Sequence, residues 1–350
     1  MSPNKVLAAL SGGVDSSVAA ALLQQQGYEV IGLTMRLWVD PAHPPASDSV
    51  TAATQAAKSL RIPLHVVDIV ETFHQQIVKF FLDEYARGVT PNPCVRCNRL
   101  IKWGLLLEQV TTIGVDFLAT GHYARIRTCE DGERQLLRAV DRSKDQSYVL
   151  HVLTQAKLAK ALFPVGEYSK PEIRRMALEM GLPAATRSES QDLCFLSGED
   201  YRDFIQRNAP GIARPGPVVN RQGKQLGEHR GLAYYTIGQR KGLNVSSPVP
   251  LYVLAKDLEA NALVVGTEDE LGSQAMHVAG INWIAGQAPA RSFRAQVKTR
   301  YTAREAWAEI TLTGNDQAEV RFDTSQRDIT LGQAAVFYEG DVLLGGGTIA

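Results

Sequence analysis

The sequence predicts an α/β protein: a parallel sheet covered by helices on both faces, followed by a small mixed domain and a C-terminal small β-barrel. Short apolar runs alternate with helical patterns through the first half of the chain, which is typical of a parallel sheet. From residue 198 proline and glycine break the chain into short pieces, and from residue 276 alternating strand patterns dominate. We therefore expect three domains, at residues 1–197, 198–275 and 276–350.

The first half contains four predicted strands that alternate with predicted helices. The strands are expected at 6–10, 29–34, 64–68 and 116–120, and the helices at 16–26, 50–59, 72–88 and 98–112. A further helix begins after Ser169, a typical N-cap residue followed by Pro171 and Glu172. The strands of the C-terminal part are expected at 293–299, 306–312, 318–322, 334–338 and 341–348. Parallel sheets bind ligands beyond the carboxyl ends of their strands, so the residues that follow these strands are candidate site residues.

The composition is ordinary for a globular chain, with 350 residues of which 45% are hydrophobic and 21% charged. No apolar stretch approaches the ~20 residues that cross a bilayer. The first strand begins so early that it leaves no room for a signal peptide. We therefore expect a cytoplasmic monomer with no membrane partner. Four cysteines are too few for a disulfide scaffold.

The charge is balanced overall but unevenly distributed. A formal net charge of zero argues by itself against a nucleic-acid partner. However, residues 207–245 contain seven Lys or Arg and one acidic residue, whereas residues 302–350 contain three basic and eight acidic residues. Such a basic segment is typical of a polyanion-binding face or of a solvated, loop-rich surface, and both interpretations stay open here.

The most informative motif is Ser-Gly-Gly-Val-Asp-Ser-Ser at residues 11–17, between the first strand and the first helix. A glycine-rich turn at this place presents backbone N–H groups and the positive end of a helix dipole to an anion, usually phosphate. The motif is neither a Walker A loop nor Gly-x-Gly-x-x-Gly. A tight strand–helix connection would need none of its hydroxyls and no carboxylate, so we favour a nucleotide site. The pattern resembles the pyrophosphate loop of ATP pyrophosphatases, which cleave ATP between the α- and β-phosphates.

Three of the four cysteines lie in unusual sequence contexts. Cys94 and Cys97 form a Cys-x-x-Cys pair just before a predicted helix, which is typical of a redox pair or of half a metal site. A thiol near a helix N-terminus is expected to have a lowered pKa. Cys194 follows the polar residues 190–192, whereas Cys129 lies in a polar hairpin and is expected to be incidental. The alternative for each is a buried cysteine that acts only as a small hydrophobic residue.

Six motifs occur in order over most of the chain: residues 11–17; Thr-Pro-Asn-Pro at 90–93 with Cys-Asn at 97–98; Ala-Thr-Gly-His-Tyr-Ala at 119–124; Lys-Asp-Gln-Ser-Tyr at 144–148; Ser-Gln-Asp-Leu-Cys-Phe at 190–195; and Tyr-Thr-Ile-Gly-Gln-Arg at 235–240. Together they resemble the bacterial tRNA-specific 2-thiouridylase family. The resemblance implies a pyrophosphate-loop ATPase fold and a transferase of sulfur-containing groups. Such an enzyme adenylates the C2 oxygen of the wobble uridine of tRNA and then replaces that oxygen with sulfur.

The resemblance also implies roles for individual residues. Cys97 would be the nucleophile and Cys194 the carrier of a persulfide from a donor protein. The two would form a transient disulfide that a reductant reopens. ATP, with Mg²⁺, would be bound by Ala9, Leu10, Ser11, Gly12, Gly13, Val14, Asp15, Ser16, Met35 and Gly121. The tRNA would be contacted by Asn92, Pro93, Cys94, His122, Lys144, Asp145, Gln146, Arg300, Tyr301 and Gln333. No resident metal site is expected.

Cys94 departs from the family pattern, because many members have an aspartate at this position. A thiolate at Cys94 would act as a base in place of the carboxylate, or the residue would be neutral and structural. Alternatively, Cys94, Cys97 and Cys194 would hold an iron–sulfur cluster, as in some related tRNA thiolases. Two further alternatives are a pyrophosphate-loop ligase that acts on a small molecule and a sensor that binds ATP without cleaving it.

Overall fold

The computed structural model describes residues 4–44, 48–187, 193–327 and 329–350. The strands are β1 (Lys5–Ala9), β2 (Glu29–Arg36), β3 (Leu64–Asp68), β4 (Phe117–Ala119), β5 (Ala124–Thr128), β6 (Arg134–Arg138), β7 (Ala161–Leu162), β8 (Gly216–Val219), β9 (Gln225–His229), β10 (Tyr252–Asp257), β11 (Ala262–Gly266), β12 (Ser273–Trp283), β13 (Ser292–Lys298), β14 (Ala306–Leu312), β15 (Gln317–Gln326), β16 (Ala334–Glu339) and β17 (Val342–Ile349).

The α-helices are α1 (Val14–Gln25), α2 (Ser49–Leu60), α3 (Val70–Phe73), α4 (Lys79–Ala86), α5 (Pro93–Cys97), α6 (Leu106–Ile113), α7 (Gln155–Leu158), α8 (Lys170–Glu179) and α9 (Tyr201–Asn208). Two π-helical segments, His74–Val78 and Asn98–Leu105, join α3 to α4 and α5 to α6. Short 3₁₀ turns occur at Ser147–Leu150, Pro164–Glu167, Pro210–Ile212, Leu232–Tyr234 and Glu268–Glu270.

The first half of the chain folds around a parallel sheet with strand order β3-β2-β1-β4-β7. β1 lies in the middle of the sheet. Val6 packs on one face with Ala20 of α1 and Ala53 of α2, and Leu7 packs on the other face with Trp103. Helices therefore cover both faces, which confirms the predicted fold class. The two-residue strand β7 was not predicted, because a segment this short has no recognisable alternation.

The helix that carries the Cys-x-x-Cys motif begins earlier than predicted. The sequence pattern places the helix at 98–112, after the two cysteines, whereas the structure begins it with α5 at Pro93. Asn92 Oδ1 accepts the backbone N–H of Val95 at 3.1 Å, and proline is favoured at the first helical position. Both cysteines of the motif therefore lie inside the first turns of the helix, which corrects the expectation that they precede it.

The C-terminal part is a closed barrel of six antiparallel strands, in the order β12-β15-β14-β13-β16-β17, with β12 paired to β17. Apolar side chains such as Val278, Ile310 and Phe337 fill its interior, and the predicted small β-barrel is confirmed. The hairpin β5–β6 from the first half extends this sheet, because β6 pairs with β17. The barrel is therefore hydrogen-bonded directly to the half of the chain that contains the glycine loop.

Between these parts lies a small four-stranded sheet with order β10-β11-β8-β9, preceded by α9. Arg207 of α9 connects it to the first half, with its guanidinium 2.7 Å from the carboxylate of Asp40 and 2.5 Å from that of Glu199. Arg300 connects the barrel to the same region by donating to the Ile237 carbonyl at 3.0 Å. All three parts of the fold are thus joined by polar contacts.

A buried histidine lies where the first half meets the barrel. His151 Nδ1 donates to the carbonyl of Tyr148 at 2.7 Å, and the carbonyl of His151 accepts from the Asn282 side chain at 2.7 Å. A Cβ atom on Gly346 of β17 would lie 3.0 Å from the imidazole. Burial lowers the pKa of His151 from 6.5 to about 4, so the ring is neutral at physiological pH.

We expect this interface to weaken in mild acid. The pKa of His151 is lower in the folded chain than in the unfolded chain, so the unfolded chain binds more protons between pH 6.5 and about 4. Stability is therefore complete above this window and falls by about 3 kcal/mol as the pH drops through it. Urea unfolding at neutral and acidic pH measures the loss. His151→Asn keeps a neutral donor and should lose less stability in acid; an equal loss in both proteins would contradict the account.

Candidate active site

The Ser-Gly-Gly loop connects β1 to α1 at the carboxyl edge of the parallel sheet. Its hydroxyls stabilise the loop itself, because Ser16 and Ser17 donate to the Gly13 carbonyl at 3.1 and 2.8 Å. The N–H of Ser11 donates to Ser16 Oγ at 3.2 Å. Within the described residues 4–44, no side chain caps the first turn of α1. The first N–H groups of a helix have no partner inside the helix, so a bound anion would complete them.

Two glycines allow the loop to pack closely against its neighbours. Gly12 has a φ of +75°, and a Cβ atom on it would lie 2.3 Å from the Cβ of Ala52 in α2. Gly121, which follows β4, lies against the same loop, and a Cβ atom there would approach the Ser16 nitrogen to 2.7 Å. The cradle between the ends of β1 and β4 therefore requires residues without side chains, as expected for a phosphate site.

The ten residues predicted to bind ATP all lie on this loop or at the ends of β1, β2 and β4 that surround it. Leu10 is only 2% exposed, and its N–H donates to the Leu33 carbonyl of β2 at 2.7 Å. Met35 was expected just beyond its strand, but β2 continues to Arg36, so Met35 lies inside the strand. The topology thus brings together residues from three separate parts of the sequence.

The carboxylate of Asp15 is held by two residues that the sequence analysis missed. Lys170 Nζ lies 2.6 and 2.8 Å from the two carboxylate oxygens, and the Tyr123 hydroxyl donates to the same carboxylate at 2.7 Å. A third missed residue, Arg187, donates to the Gly12 carbonyl at 3.2 Å. Lys170 marked only a helix start in the sequence, since no local pattern relates residues that are 155 positions apart.

Cys94, Cys97 and Cys194 lie close enough together to influence one another electrostatically. All three are free thiols, with Cys94 and Cys194 exposed and Cys97 half-buried. The polar residues 190–192 of the motif around Cys194 lie outside the described residues. The structure therefore groups the three cysteines to which the sequence analysis gave a chemical role, and Cys129 is not among those that interact with them.

Desolvation by the surrounding protein raises the pKa of these thiols, although two of them are exposed to solvent. It raises the pKa of Cys97 to about 11 and that of Cys194 to about 12, and it also raises the pKa of Cys94. The positive charge of Lys102 acts on all three thiols in the opposite direction. The prediction that the helix N-terminus lowers the pKa of Cys94 and Cys97 is therefore wrong, because burial raises the pKa of both.

His122 follows β4 and is only 6% exposed. Its Nε2 lies 3.2 Å from Lys102 Nζ, and its Nδ1 lies 2.7 Å from Thr120 Oγ1. Burial, with the nearby charge of Lys102, lowers the pKa of His122 well below its ordinary value, so the imidazole is neutral at physiological pH. Lys102 was not singled out in the sequence, where it lies in an ordinary helical pattern.

A cleft of about 510 Å³ opens beside Cys94. Four of the predicted tRNA contacts line it, namely Asn92, Pro93, Cys94 and Gln333. Its other walls are largely aromatic and aliphatic, and they include Phe81, Tyr85, Leu193, Leu196 and Tyr201. Phe81 and Tyr85 are nearly fully buried against other aromatic rings, and the acidic Glu199 and Asp200 also line the cleft. The cleft is therefore a candidate site for a substrate group beside the exposed Cys94 thiol.

Gln333 reaches from the barrel to the segment that precedes Cys94. Its Nε2 donates to the carbonyls of Thr90 and Pro91 at 3.0 and 3.1 Å. The barrel therefore helps to hold one wall of the cleft in place.

We expect Gln333→Ala to lower the activity that the sequence resemblance implies, formation of 2-thiouridine, by about tenfold without changing the affinity for ATP. The substitution leaves two carbonyls without their donor, which costs about 1–3 kcal/mol in local stability and loosens the cleft wall. Steady-state formation of 2-thiouridine and a separate ATP titration measure the two effects. Gln317→Ala, at an exposed position of β15, is the control. Equal activity of the two variants would refute this role of Gln333.

The remaining predicted tRNA residues do not line this cleft. Asp145 is 5% exposed, and its carboxylate accepts the N–H of Ala139 and the hydroxyl of Ser147 at 3.0 and 2.8 Å. Gln146 Oε1 accepts the N–H of Tyr123 at 3.0 Å. Both side chains therefore shape the loop that also carries the half-buried Lys144.

Arg300 and Tyr301 lie at the edge of the barrel. The Arg300 guanidinium donates to Thr330 Oγ1 at 2.7 Å, in addition to its contact with Ile237. Tyr301 is 44% exposed, and its ring lies 6.2 Å from that of Tyr148. Tyr301 thus lies partly exposed at the edge of the barrel, while Arg300 connects two parts of the fold.

The described part of the chain contains neither a cluster of metal ligands nor a helix that could cross a membrane. In the ranges 4–44, 48–187, 193–327 and 329–350, no three His, Cys, Asp or Glu side chains converge as metal ligands. In the same ranges, no helix has both the length and the apolar character needed to cross a bilayer.

Known families match the chain along nearly its whole length. Three family models match in succession: a tRNA methyl transferase HUP domain at residues 4–198, a tRNA methyl transferase PRC-barrel domain at 202–267 and an aminomethyltransferase β-barrel domain at 273–349. The chain is 46% identical over 355 residues to the tRNA-specific 2-thiouridylase MnmA 1 of Caldanaerobacter subterraneus, covering 99% of this chain and 98% of that protein. The chain belongs to the tRNA-specific 2-thiouridylase family. The MnmA protein of Chloroflexus aggregans is 45% identical over 351 residues, with 99% and 98% coverage.

Membership of the 2-thiouridylase family confirms the resemblance indicated by the six sequence motifs. A solved 4-thiouridine synthetase–RNA complex with bound ATP also matches 59% of this chain and 50% of its own, with 16% identity and a TM-score of 0.37. That structural likeness is small, and the family assignment depends on the full-length sequence matches instead.

Proposed function

We propose that this protein uses ATP to replace the C2 oxygen of the wobble uridine of tRNA with sulfur. The main support is a series of neighbouring residues that leads from the Ser-Gly-Gly loop to the group of thiols, with two contacts and one electrostatic interaction. Gly121 lies against the loop at Ser16, its neighbour His122 contacts Lys102, and the charge of Lys102 acts on Cys97. Membership of the 2-thiouridylase family supports the same reaction.

The first step activates the uridine. Its C2 oxygen attacks the α-phosphorus of ATP, the bond between the α- and β-phosphates breaks, and pyrophosphate leaves. The backbone N–H groups at the start of α1 would hold the departing pyrophosphate. We propose that Mg²⁺ accompanies ATP, since Mg²⁺ is commonly held by substrate phosphates and water with few protein ligands.

The second step delivers sulfur. Cys194 would carry a persulfide received from a donor protein, and the thiolate of Cys97 would attack the Cys194 sulfur. The sulfur–sulfur bond of the persulfide breaks as the Cys97–Cys194 disulfide forms. The released sulfur attacks C2 of the uridine and AMP leaves. Two thiols are thereby oxidised to a disulfide while the transferred sulfur is reduced, so an external two-electron reductant must restore the enzyme.

The neighbouring cysteines favour a mechanism with two reactive thiols, a sulfur carrier and a nucleophile, over a mechanism with a single reactive cysteine. Desolvation keeps Cys97 and Cys194 mostly protonated at neutral pH, because it raises the pKa of both. A second thiol beside the carrier would release the sulfur within the site, next to the uridine. Cys94, where the family resemblance implies an aspartate in many members, lines the cleft and would face the base with a neutral thiol.

The partners follow from the same chemistry. We propose tRNA as the macromolecular substrate, a persulfide-carrying donor protein, and a thiol reductant. The basic segment at 207–245 would contact the tRNA backbone, which positions the substrate without reading its sequence. We further propose that the enzyme acts as a monomer in the cytoplasm and belongs to the transferases of sulfur-containing groups.

Nucleotide cleavage in the presence and absence of tRNA tests the proposal. Purified protein, ATP, unmodified tRNA and a persulfide-carrying sulfur donor are expected to yield AMP and pyrophosphate, and tRNA should be required for both. Cleavage without tRNA would favour a ligase that acts on a small molecule, and binding without cleavage would favour a sensor. A methylated uridine in place of a thiolated one would also overturn the proposal.

A further inference from the structure

The contact between Lys102 and His122 fixes the hydrogen-bonding roles of both side chains. A lysine ammonium only donates, so the His122 Nε2 at 3.2 Å from Lys102 Nζ must accept. The proton of the neutral imidazole then resides on Nδ1 and is donated to Thr120 Oγ1 at 2.7 Å. His122 therefore holds the Lys102 ammonium in place. The unprotonated nitrogen of the imidazole, Nε2, already accepts a hydrogen bond from Lys102.

The helix places Lys102 on the same side as the nucleophilic thiol. Cys97 is the last residue of α5, and the chain continues into the π-helical segment Asn98–Leu105. In a π-helix residues five apart are hydrogen-bonded to each other, which brings the directions of residues 97 and 102 closer together than α-helical winding would. Such segments are frequent at functional sites. The local winding of the helix thus directs a cation towards the three thiols.

The other cations of this helix are engaged elsewhere. Arg96 donates to the carbonyl of Gln76 at 2.7 Å, and its guanidinium lies 4.2 Å from the centre of the Phe80 ring. The charge of Arg99 acts on His151 and Lys157, on the side of the barrel. Lys102 is the cation of this helix whose charge acts on the thiols.

The acidic groups near the cleft also have partners of their own. Glu199 binds Arg207 at 2.5 Å, and Asp200 caps the start of α9 by accepting the N–H of Arg202 at 2.8 Å. The groups that the Lys102 charge acts on are therefore the imidazole of His122 and the thiols of Cys94, Cys97 and Cys194.

We propose that Lys102, held by His122, is a positioning residue that stabilises anionic sulfur at Cys97 and Cys194. The inference deepens the proposed function, because the same charge would stabilise the terminal sulfur of a persulfide on Cys194. Ionisation of the thiol transfers one proton to water. The Lys102 ammonium keeps its three protons, and no residue is oxidised or reduced. His122 acts through Lys102 and does not exchange a proton with substrate.

Alkylation of the thiols as a function of pH tests this role without ATP or tRNA. The rates at Cys97 and Cys194 are measured with iodoacetamide and mass spectrometry in the full-length protein. Between pH 7 and 9, where Lys102 is charged, Lys102→Gln should lower the alkylation rate of both cysteines by about tenfold, the size expected when an opposite charge is lost. Lys102→Arg should restore the rate. Lys58→Gln, at an exposed position of α2, should leave it unchanged.

Two results would overturn the inference. One is a pH profile for Lys102→Gln that matches the wild type. The other is an equal loss of rate in Lys102→Gln and Lys102→Arg together with a lowered melting temperature, which indicates a purely structural role. A failure of wild-type protein to thiolate tRNA would contradict the proposed function but would leave the alkylation profiles as evidence for Lys102.

Discussion

Replacement of Cys97 by serine is expected to lower 2-thiouridine formation by at least about three orders of magnitude, the scale seen when a nucleophile is removed. Serine nearly preserves the size of the side chain but cannot form the proposed disulfide with Cys194 that would release sulfur. ATP binding should be unchanged, because the nucleotide loop at residues 11–17 makes no use of this thiol. Nucleoside mass spectrometry of tRNA treated with the variant measures the first effect, and an ATP titration measures the second.

Two further variants test whether the loss of activity is specific to the Cys97–Cys194 pair. Cys194→Ser should be equally inactive and should also fail to accumulate a persulfide when the donor is supplied. Cys129→Ser is the matched control, since Cys129 is half-buried in a hairpin turn away from the interacting thiols, and it should retain full activity. Normal thiolation by Cys97→Ser would show that sulfur transfer does not require the pair.

Gly121→Ala is expected to weaken ATP binding by about tenfold to hundredfold, because overpacking of this kind costs about 1–3 kcal/mol. The added Cβ atom would lie 2.7 Å from the Ser16 nitrogen and 2.8 Å from the Asp15 carbonyl carbon. Both are backbone atoms of the first turn of α1, so relief requires that the anion-binding end of the helix move. Equilibrium ATP titration measures the loss, and thiolation should fall in parallel.

Gly211→Ala serves as the steric control, since nothing lies within 4 Å of a Cβ atom at Gly211. It should bind ATP as the wild type does. If Gly121→Ala also bound ATP normally, the cradle between Gly121 and the loop would not be the nucleotide site.

The sequence was sufficient to predict that the Ser-Gly-Gly loop and Gly121 lie at the same edge of the sheet. Parallel strands expose their carboxyl ends at one edge, so the loop after β1, Met35 in β2 and Gly121 after β4 had to lie near one another. The helix that starts after Ser169 was also predicted correctly, because its capping box with Glu172 is a local signal. Local patterns of this kind depend only on neighbouring residues and can be read directly.

Contacts between distant residues could not be predicted in the same way. Lys170 binds Asp15 across 155 positions, and Lys102 contacts His122 across 20. Either lysine, seen in sequence, is an ordinary helical residue. The pairing of β6 with β17 likewise joins residues more than two hundred positions apart, through Val342 and Leu137. Only the folded topology determines these neighbours.

The pKa values of Cys94 and Cys97 differ from what their position at the start of a helix predicts. Cys94 and Cys97 lie in the first turns of a helix, where the dipole lowers a thiol pKa. In the folded chain, desolvation by the surrounding protein raises the pKa of both. The competing effect depends on packing against distant elements, so it was not visible in the sequence.

Nucleoside mass spectrometry of tRNA from cells that lack this protein tests whether it places sulfur on the wobble uridine. Wobble 2-thiouridine is expected to disappear, the wild-type chain should restore it, and Cys97→Ser and Cys194→Ser should not. Unchanged 2-thiouridine in cells with no second enzyme of this family would contradict the proposed function.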